Sequence, residues 1–355
     1  MMKQPLNAKQ FSVLFLLGLA GLFFCFAAFN YVVDPLQNYR ETTWFQPLYS
    51  KEKRYQYPGF AKNKTYDTVV IGTSMSENYL ASDVDSIFHG QTLNLAMSGA
   101  SAKEEYLLAS LAINTRQVKR VIWGMYYTAF TFDHNKVSGS RMGSFPDYLY
   151  DTDLINDYPY LLSMDTVNLS IKTIKDHQVP DFETFYSWYT DYKYGLSVMR
   201  QKWNSRSPNT YTRKNTEKEK INIEENIDKY IVELVRKHPE IDFYFVHPPQ
   251  SILYHVNVYD QDPEVFLNSM YLKKYLFEQL EKYPQVKIFD FQSESSITHN
   301  YSLYKDLAHY NVSINKFILE QLKTSQYLVT KDNLDYYVSE PLRQLQEIDP
   351  DTYTF

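Results

Sequence analysis

Three side chains in this sequence have the types and the order that nucleophilic acyl transfer needs. Ser74 follows the run Asp67-Thr-Val-Val-Ile-Gly72, and Asp306-Leu-Ala-His309 lies far downstream. A serine hydroxyl is a weak nucleophile at neutral pH, so it needs an imidazole to accept its proton and a carboxylate to fix the tautomer of that imidazole. The sequence therefore predicts Ser74 as the nucleophile, His309 as the general base and Asp306 as the group that orients the base.

Each of these residues also has a purely structural interpretation. Ser74 could cap the N-terminus of a helix, a position that serine favours. Asp306 and His309 could cap and solvate the start of a helix predicted near Asn311. An Asp and a His three residues apart are common by chance, and only the combination with a strand–Gly–x–Ser turn favours catalysis. That turn also predicts a helix directly after Ser74, with its N-terminus aimed at any oxyanion formed there.

Alternating strands and helices would bring these side chains to one edge of a sheet. Five strand-like runs are visible: Thr68–Gly72, Leu93–Gly99, Arg120–Gly124, Asp242–Val246 and Val286–Asp290. Helical periodicity occurs at Lys103–Ile113, between Ile223 and Leu234, from Asp262-Pro263 to about Lys282, and in a last helix from about Asn311. This alternation predicts an α/β fold with a parallel sheet covered on both faces, whose sites form at the carboxyl ends of the strands.

Composition excludes several classes of function. The 355 residues carry a formal charge of −6, which argues against a nucleic-acid surface. The single cysteine, Cys25, excludes a disulfide-stapled fold. Asp133, His134 and His299 lack partners at metal-ligand spacing, so we expect no metal and no other cofactor. His247 ends a strand before two prolines, where we expect a structural turn.

The N-terminus predicts a membrane anchor. Residues 11–33 contain no charged residue and would span about 34 Å as a helix, which is enough to cross a bilayer. A cleaved signal peptide is the alternative, but no clear cleavage site follows the apolar run. Lys3 and Lys9 precede the span, and Arg40 is the basic residue that soon follows it. This small bias predicts a cytoplasmic tail at 1–10 and an extracytoplasmic chain beyond residue 33.

The rest of the chain divides into four segments by composition. We expect a juxtamembrane connector at 34–66, an α/β domain at 67–329 and a C-terminal tail of unassigned role at 330–355. The strand–helix rhythm is lost at about 130–220, a stretch rich in Tyr and Trp that we interpret as an insertion or lid. Its rings could stack on sugars, although packing among themselves is the simpler explanation.

The sequence resembles the SGNH/GDSL hydrolase family over roughly residues 67–325. Gly72-Thr-Ser74 matches the first block with its nucleophile, Asn94-Leu-Ala-Met-Ser-Gly99 resembles the second block, and Asp306-Leu-Ala-His309 matches the last. The resemblance implies a three-layer, flavodoxin-like α/β/α domain in which the N–H of Gly99 belongs to the oxyanion hole. Gly99 could equally serve only a tight turn.

The resemblance also implies a function at the cell envelope. Membrane-anchored members resemble proteins of envelope polymer D-alanylation or O-acetylation, which often operate beside a multi-spanning membrane acyltransferase. The expected activity is that of a serine esterase or acyltransferase on an exported polysaccharide, with an acylated glycan or a membrane-delivered acyl donor as partner.

One departure from the family pattern keeps a second hypothesis open. The third block normally ends in an Asn that donates to the oxyanion, but here the strand end is Gly124-Met-Tyr126-Tyr127. Loss of one such donor lowers the rate by about 100- to 1000-fold. Asn78 or the hydroxyl of Tyr126 could replace it. Otherwise the chain is a catalytically inactive scaffold that binds glycan or partner proteins during polysaccharide export.

Overall fold

The computed structural model describes residues 7–175, 179–190, 192–206 and 216–348. The chain forms two compact units, which we call unit 1 (Met1–Lys64 with Gly139–Pro180) and unit 2 (Thr65–Ser138 with Asp181–Phe355). These boundaries differ from the sequence-based division. Within the predicted insertion, residues 139–180 group with the N-terminal residues, and the residues before and after this stretch group with the sheet.

The described residues contain five strands and a series of helices. The strands are β1 (Thr68–Ile71), β2 (Thr92–Asn94), β3 (Arg120–Gly124), β4 (Asp242–His247) and β5 (Val286–Asp290). The α-helices are α1 (Ala8–Val33), α2 (Lys53–Asn63), α3 (Ala81–Phe88), α4 (Ala102–Thr115), α5 (Tyr127–Phe130), α6 (Tyr158–Leu161), α7 (Met164–Lys175), α8 (Phe182–Tyr186), α9 (Leu196–Asn204), α10 (Thr216–Asn226), α11 (Glu233–Lys237), α12 (Ile252–Gln261), α13 (Pro263–Leu280), α14 (Ser295–Thr298), α15 (Val312–Gln321) and α16 (Leu334–Glu347). Short 3₁₀ turns occupy Asp147–Leu149 and Tyr301–Leu303, and a π-helical segment, Ile227–Val232, joins α10 to α11.

Unit 2 contains a five-stranded parallel sheet in the order β2-β1-β3-β4-β5, which confirms the predicted fold class. The register pairs Thr68 with both Thr92 and Arg120, and the sheet continues through Asp242. The central strands are runs of apolar residues because a parallel sheet is buried on both faces.

Alternate residues of the strands pack against helices on opposite faces. On one face, Val70, Ile122 and Phe289 belong to a buried cluster that also contains Val84 of α3 and Ile318 of α15. On the other face, the indole nitrogen of Trp123 donates to Glu105 of α4 at 2.6 Å. The sheet is therefore the middle of three layers.

Two predicted elements are wrong. The residues after Ser74 form turns, and the next helix, α3, begins only at Ala81. The side-chain amide of Asn94 donates to the carbonyls of Ser76 and Tyr79 at 2.8 and 2.9 Å, so these carbonyls are bonded outside any helix.

The helix after Asn311 is α15, and it is not the last described helix. Helix α16 forms within the predicted tail and packs against α12 and α13.

Unit 1 contains α1, α2, α6 and α7. The 26-residue helix α1 has a mean hydropathy of 2.4 over its most apolar window, so it is long and apolar enough to cross a membrane. At its end Asn30 is buried, where its amide donates to the Leu161 carbonyl at 2.8 Å and its oxygen accepts from Ser170 at 2.9 Å. These bonds join α1 to the region of α6 and α7.

Candidate active site

Ser74 lies in the turn that leaves the carboxyl end of β1. The serine is partly exposed, whereas its neighbours Thr73 and Met75 are buried. Gly72 enters the turn with φ +141°, and a Cβ placed there would lie 2.5 Å from Ser76 Oγ. A Cβ at Gly124 would meet the same hydroxyl, so the glycines at the ends of β1 and β3 let the turn pack onto the sheet edge.

A tight turn between β5 and α15 brings Asp306 and His309 to Ser74. An antiparallel bridge between Tyr304 and Tyr310 closes this turn, and the Lys305 N–H donates to the His309 carbonyl at 3.0 Å. His309 Nε2 lies 2.9 Å from Ser74 Oγ. On the other side of the ring, Nδ1 lies 2.9 and 3.0 Å from the two carboxylate oxygens of Asp306.

The Asp306 carboxylate is held in its charged form. Burial raises its pKa, but the hydrogen bond and charge of His309 and the backbone N–H groups of His309 and Ala308 outweigh burial and lower the pKa to about 2. The two N–H groups donate to Oδ1 at 2.8 and 2.9 Å. Asp306 is therefore an anion at neutral pH and can accept a hydrogen bond from the Nδ1–H of His309. With the proton on Nδ1, Nε2 is the basic nitrogen that faces Ser74.

Trp188 supports this arrangement, although no motif in the sequence identifies it. Its indole N–H donates to the carbonyl of Ser74 at 2.8 Å, and its ring lies edge-on to the His309 imidazole with centroids 5.5 Å apart. The Lys305 ammonium lies over the Trp188 ring, 4.2 Å from the ring centre. The same nitrogen is 3.9 Å from Asp306 Oδ2. The only available signal was the unusual density of aromatic residues in the stretch 186–189.

Gly99 lies in an exposed turn after β2 with φ +64°. Two hydrogen bonds fix the approach to this turn: the Met97 N–H donates to the Gly72 carbonyl at 2.9 Å, and Glu77 Oε1 accepts from the Ser98 N–H at 2.7 Å. The turns that carry Ser74 and Gly99 thus lie side by side at the carboxyl ends of β1 and β2.

The two proposed substitutes for the missing oxyanion donor lie in different surroundings. Asn78 is fully buried, and its side-chain oxygen accepts from the Trp188 N–H at 3.0 Å. It therefore holds the segment that carries Trp188 against the Ser74 turn. Tyr126 is partly exposed, and its hydroxyl lies 3.4 Å from that of Tyr254.

A cavity of about 370 Å³ adjoins Asp306 and His309. Apolar and aromatic side chains form much of its wall, among them Tyr126, Tyr254, Val258, Val265 and Leu307. Two cationic side chains of the predicted insertion also line the cavity: Lys202 on α9 and Arg206 just after this helix. Such a cavity can hold one part of an ester substrate beside the imidazole.

No metal site is evident in the described part of the chain, where no three His, Cys, Asp or Glu side chains form a cluster that could hold an ion. His247 and His255 are both buried, and burial lowers the pKa of His247 to about 4 and that of His255 to about 3. The two imidazoles are therefore neutral parts of the core at physiological pH.

Comparisons with known proteins add little to this site. No protein-family model and no curated protein matches the chain. A solved structure described as "a putative platelet activating factor from Streptococcus pneumonia" is similar at 11% sequence identity with a TM-score of 0.40, covering 77% of this chain and 90% of that chain. At this level of similarity we transfer neither an activity nor a site residue from that protein.

Proposed function

We propose that this protein is a membrane-anchored serine esterase or acyltransferase of the SGNH type, which transfers or removes acyl esters on a cell-envelope or exported polysaccharide. One observation carries the proposal: Ser74 Oγ lies 2.9 Å from His309 Nε2, and His309 Nδ1 lies 2.9 Å from the ionised Asp306. Serine and imidazole at this distance can pass a proton directly.

The chemistry would follow in two steps. His309 Nε2 takes the proton of Ser74 while Oγ attacks the ester carbonyl, and Asp306 stabilises the imidazolium that forms. The imidazolium then protonates the leaving alcohol, and the acyl group remains on Ser74 as an ester. A second alcohol or water, deprotonated by the same nitrogen, attacks this ester, and the imidazolium returns the proton to Ser74 Oγ as the acyl group leaves.

The oxyanion of each tetrahedral intermediate needs hydrogen-bond donors. We assign this role to the Gly99 N–H, because its turn is exposed and fixed beside the Ser74 turn. Tyr126 is the better second donor, because it is partly exposed and lines the cavity beside His309, whereas Asn78 is fully buried. A hole completed by a tyrosine hydroxyl instead of the family's asparagine agrees with a slow or specialised enzyme.

The expected substrate follows from the predicted location. Beyond the membrane no coenzyme-bound acyl donor is available, so the donor would be a membrane-delivered acyl chain or a polymer that is already acylated. A multi-spanning membrane acyltransferase is the partner that would deliver such a chain. The cavity beside His309 combines aromatic walls with Lys202 and Arg206, which suits an acceptor with sugar rings and anionic groups.

A fluorophosphonate probe tests the nucleophile directly. The probe should label the wild-type chain, and Ser74→Ala should abolish labelling because no other serine has an imidazole at its hydroxyl among the described residues. Ser86→Ala is the matched control, since Ser86 is an exposed serine on α3 that bonds only its own helix. Equal labelling of wild type and Ser74→Ala would refute the assignment.

The scaffold hypothesis remains the second candidate, because the sequence lacks the third-block asparagine. The two hypotheses differ in a deletion strain, where ester-linked acyl groups on purified envelope polysaccharide are measured. We expect the ester content to change on deletion and to be restored by wild type but not by Ser74→Ala. Restoration by Ser74→Ala would support the scaffold, and an unchanged ester content on deletion would contradict a role in glycan acylation.

A further inference from the structure

Helix α7 of unit 1 has its polar and apolar residues on unexpected sides. The face that packs into the protein carries Thr166, Ser170 and Thr173 beside Val167, all of them buried. Two isoleucines and a methionine point outward instead: Met164, Ile171 and Ile174 are exposed, with 60% of the Met164 surface accessible. A helix that faces water on its outer side normally buries its isoleucines and exposes its threonines. The outer side of α7 therefore fits an apolar environment.

The outward apolar residues of α7 follow one edge of the helix. At about 100° per residue, positions 164, 171 and 174 fall within one arc of about 80°, which the buried Val167 shares, and the exposed polar residues Asp165, Asn168 and Lys172 fall on the adjacent arc. The helix is thus divided lengthwise into a protein-facing side, an apolar exposed edge and a polar exposed edge. Amphipathic helices that lie at a lipid–water boundary have this division.

The position of α7 along α1 places it at that boundary. Residues 11–25 of α1 are exposed on all sides, and a hydrocarbon core of about 30 Å counted from Phe11 would take about 20 helical residues and end near Asn30. Partial burial begins at residue 26 and is complete at Asn30, which bonds Leu161 and Ser170. Helices α6 and α7 therefore pack against α1 where it would leave the hydrocarbon.

Other side chains near the C-terminal end of α1 are of the types found at membrane interfaces. Trp44, which is 72% exposed, lines one groove with Ile174. Leu162 follows the Asn30-bonded Leu161 and is also exposed. Arg40, which follows α1, contacts the last turn of this helix. Its guanidinium lies 4.6 Å from the centre of the Tyr31 ring and donates to the Val32 carbonyl at 3.1 Å. Tryptophan, tyrosine and arginine are enriched where a span meets the headgroups.

We propose that unit 1 rests in the bilayer interface through an apolar collar, which consists of Trp44, Leu162, Met164, Ile171 and Ile174, on the side where the chain leaves the membrane. The occupant of this surface is lipid. The apolar edge of α7 contacts acyl chains, and Lys172 and Lys175 on its polar edge reach toward headgroup phosphates. The collar fixes the height and tilt of unit 1, which a single spanning helix alone would leave free.

Depth-dependent quenching of a label on the full-length chain tests the collar. Two variants in a Cys25→Ser background carry one cysteine each: Ile171→Cys on the apolar edge and Asp165→Cys, the matched control on the polar edge of the same helix. The unmodified chain, labelled at its own Cys25 in α1, is the control for insertion. Each protein is labelled with nitrobenzoxadiazole and reconstituted in phosphatidylcholine–phosphatidylglycerol vesicles with or without lipid that carries an acyl-chain nitroxide.

We expect strong quenching at Cys25 and several-fold stronger quenching at residue 171 than at residue 165. All labelled positions are exposed, so the label does not need to enter a packed core. Equal quenching at 171 and 165 would overturn the proposal. So would quenching at Cys25 with none at 171, since another protein would then have to cover the surface. The experiment does not involve Ser74, so its outcome is independent of the proposed activity.

Discussion

At the scale of single residues, the candidate site combines one local contact with one distant contact. Asp306 and His309 are held by a seven-residue turn that Tyr304 and Tyr310 close, and the Tyr304 hydroxyl anchors it by donating to the Pro249 carbonyl at 2.9 Å. Ser74 comes to this turn only because β1 and β5 belong to one parallel sheet. The carboxylate is thus fixed by its own loop, and the alignment with the serine depends on the fold.

The Asp306 carboxylate offers a residue-scale prediction. In Asp306→Asn the amide oxygen can still accept from the Ala308 and His309 N–H groups, so the turn should persist. The neutral amide no longer selects the tautomer of His309, and we expect kcat for hydrolysis of p-nitrophenyl acetate to fall by about 10³- to 10⁴-fold. The thermal unfolding midpoint should change little.

The pH dependence sharpens this prediction. The pKa of Asp306 is lowered to about 2, so its stabilising interaction with His309 is present above the usual carboxylate range and is lost only as pH falls toward 2. Asp306 therefore stays ionised throughout pH 5 to 9, and the activity of Asp306→Asn should be lower than that of wild type at every pH in this range. An Asp306→Asn activity within a few-fold of wild type would contradict a catalytic role of the carboxylate.

The sequence predicted the reactive side chains better than those that support them. Ser74, Asp306 and His309 are identifiable because their chemistry restricts the residue type and their spacing follows strands and turns. Trp188, Glu77 and Asn78 act through hydrogen bonds to backbone groups of distant segments, such as the Ser74 carbonyl and the Ser98 N–H. Many residue types can make such contacts, so no pattern marks them before the fold is known.

At the scale of elements, the parallel strands were predictable and their surroundings less so. The apolar runs that end in Gly72 and Gly124 need only local sequence, because a strand that is buried on both faces is apolar throughout. Helix α16 was missed because its sequence is polar and contains Pro341. Its packing depends on contacts such as that from the buried Lys273 ammonium, which donates to the Tyr337 carbonyl at 3.2 Å.

Helix α4 carries a buried carboxyl group that makes stability depend on pH. Burial raises the pKa of Glu105 to about 8, although the Trp123 indole N–H donates to it. Between about pH 4.5 and 8 the folded state keeps this proton while the unfolded chain releases it. The contribution of Glu105 to the free energy of unfolding is therefore fully present below pH 4.5 and is lost as pH rises to 8, by about 1.4 kcal/mol for each pH unit.

We predict that Glu105→Gln removes this loss. The glutamine oxygen can still accept from Trp123, and the amide has no charge to bury. The thermal unfolding midpoint of the variant should exceed that of wild type at pH 7.5 and approach it at pH 5, measured on the detergent-solubilised chain. Glu104→Gln is the control, because Glu104 accepts from the Ser101 and Ser138 N–H groups and its replacement should destabilise the protein. A constant difference between Glu105→Gln and wild type across this pH range would refute the assignment.

At the scale of the whole molecule, helix α1 determines on which side the site would lie if this helix spans a membrane. The described part of the chain has one helix that is long and apolar enough to span, and the basic residue Lys9 lies before its apolar core. Arg40, on the other side, is bonded to the Val32 carbonyl and stacked on Tyr31. The positive-inside tendency then predicts the N-terminus in the cytoplasm and unit 2 outside.

Impermeant labelling of intact cells tests this orientation with two matched positions. In a Cys25→Ser background, Asp335→Cys places a thiol at an exposed site of α16, and Ala8→Cys places one at the exposed start of α1. A membrane-impermeant maleimide should modify residue 335 in intact spheroplasts and residue 8 only after permeabilisation, because the span separates them.

The opposite pattern would place Ser74 in the cytoplasm, where coenzyme-bound acyl donors are present, and would remove the reason for a membrane-delivered donor. Modification of both positions in intact spheroplasts would show that α1 does not span the membrane. That result would also contradict the proposal that the collar contacts lipid.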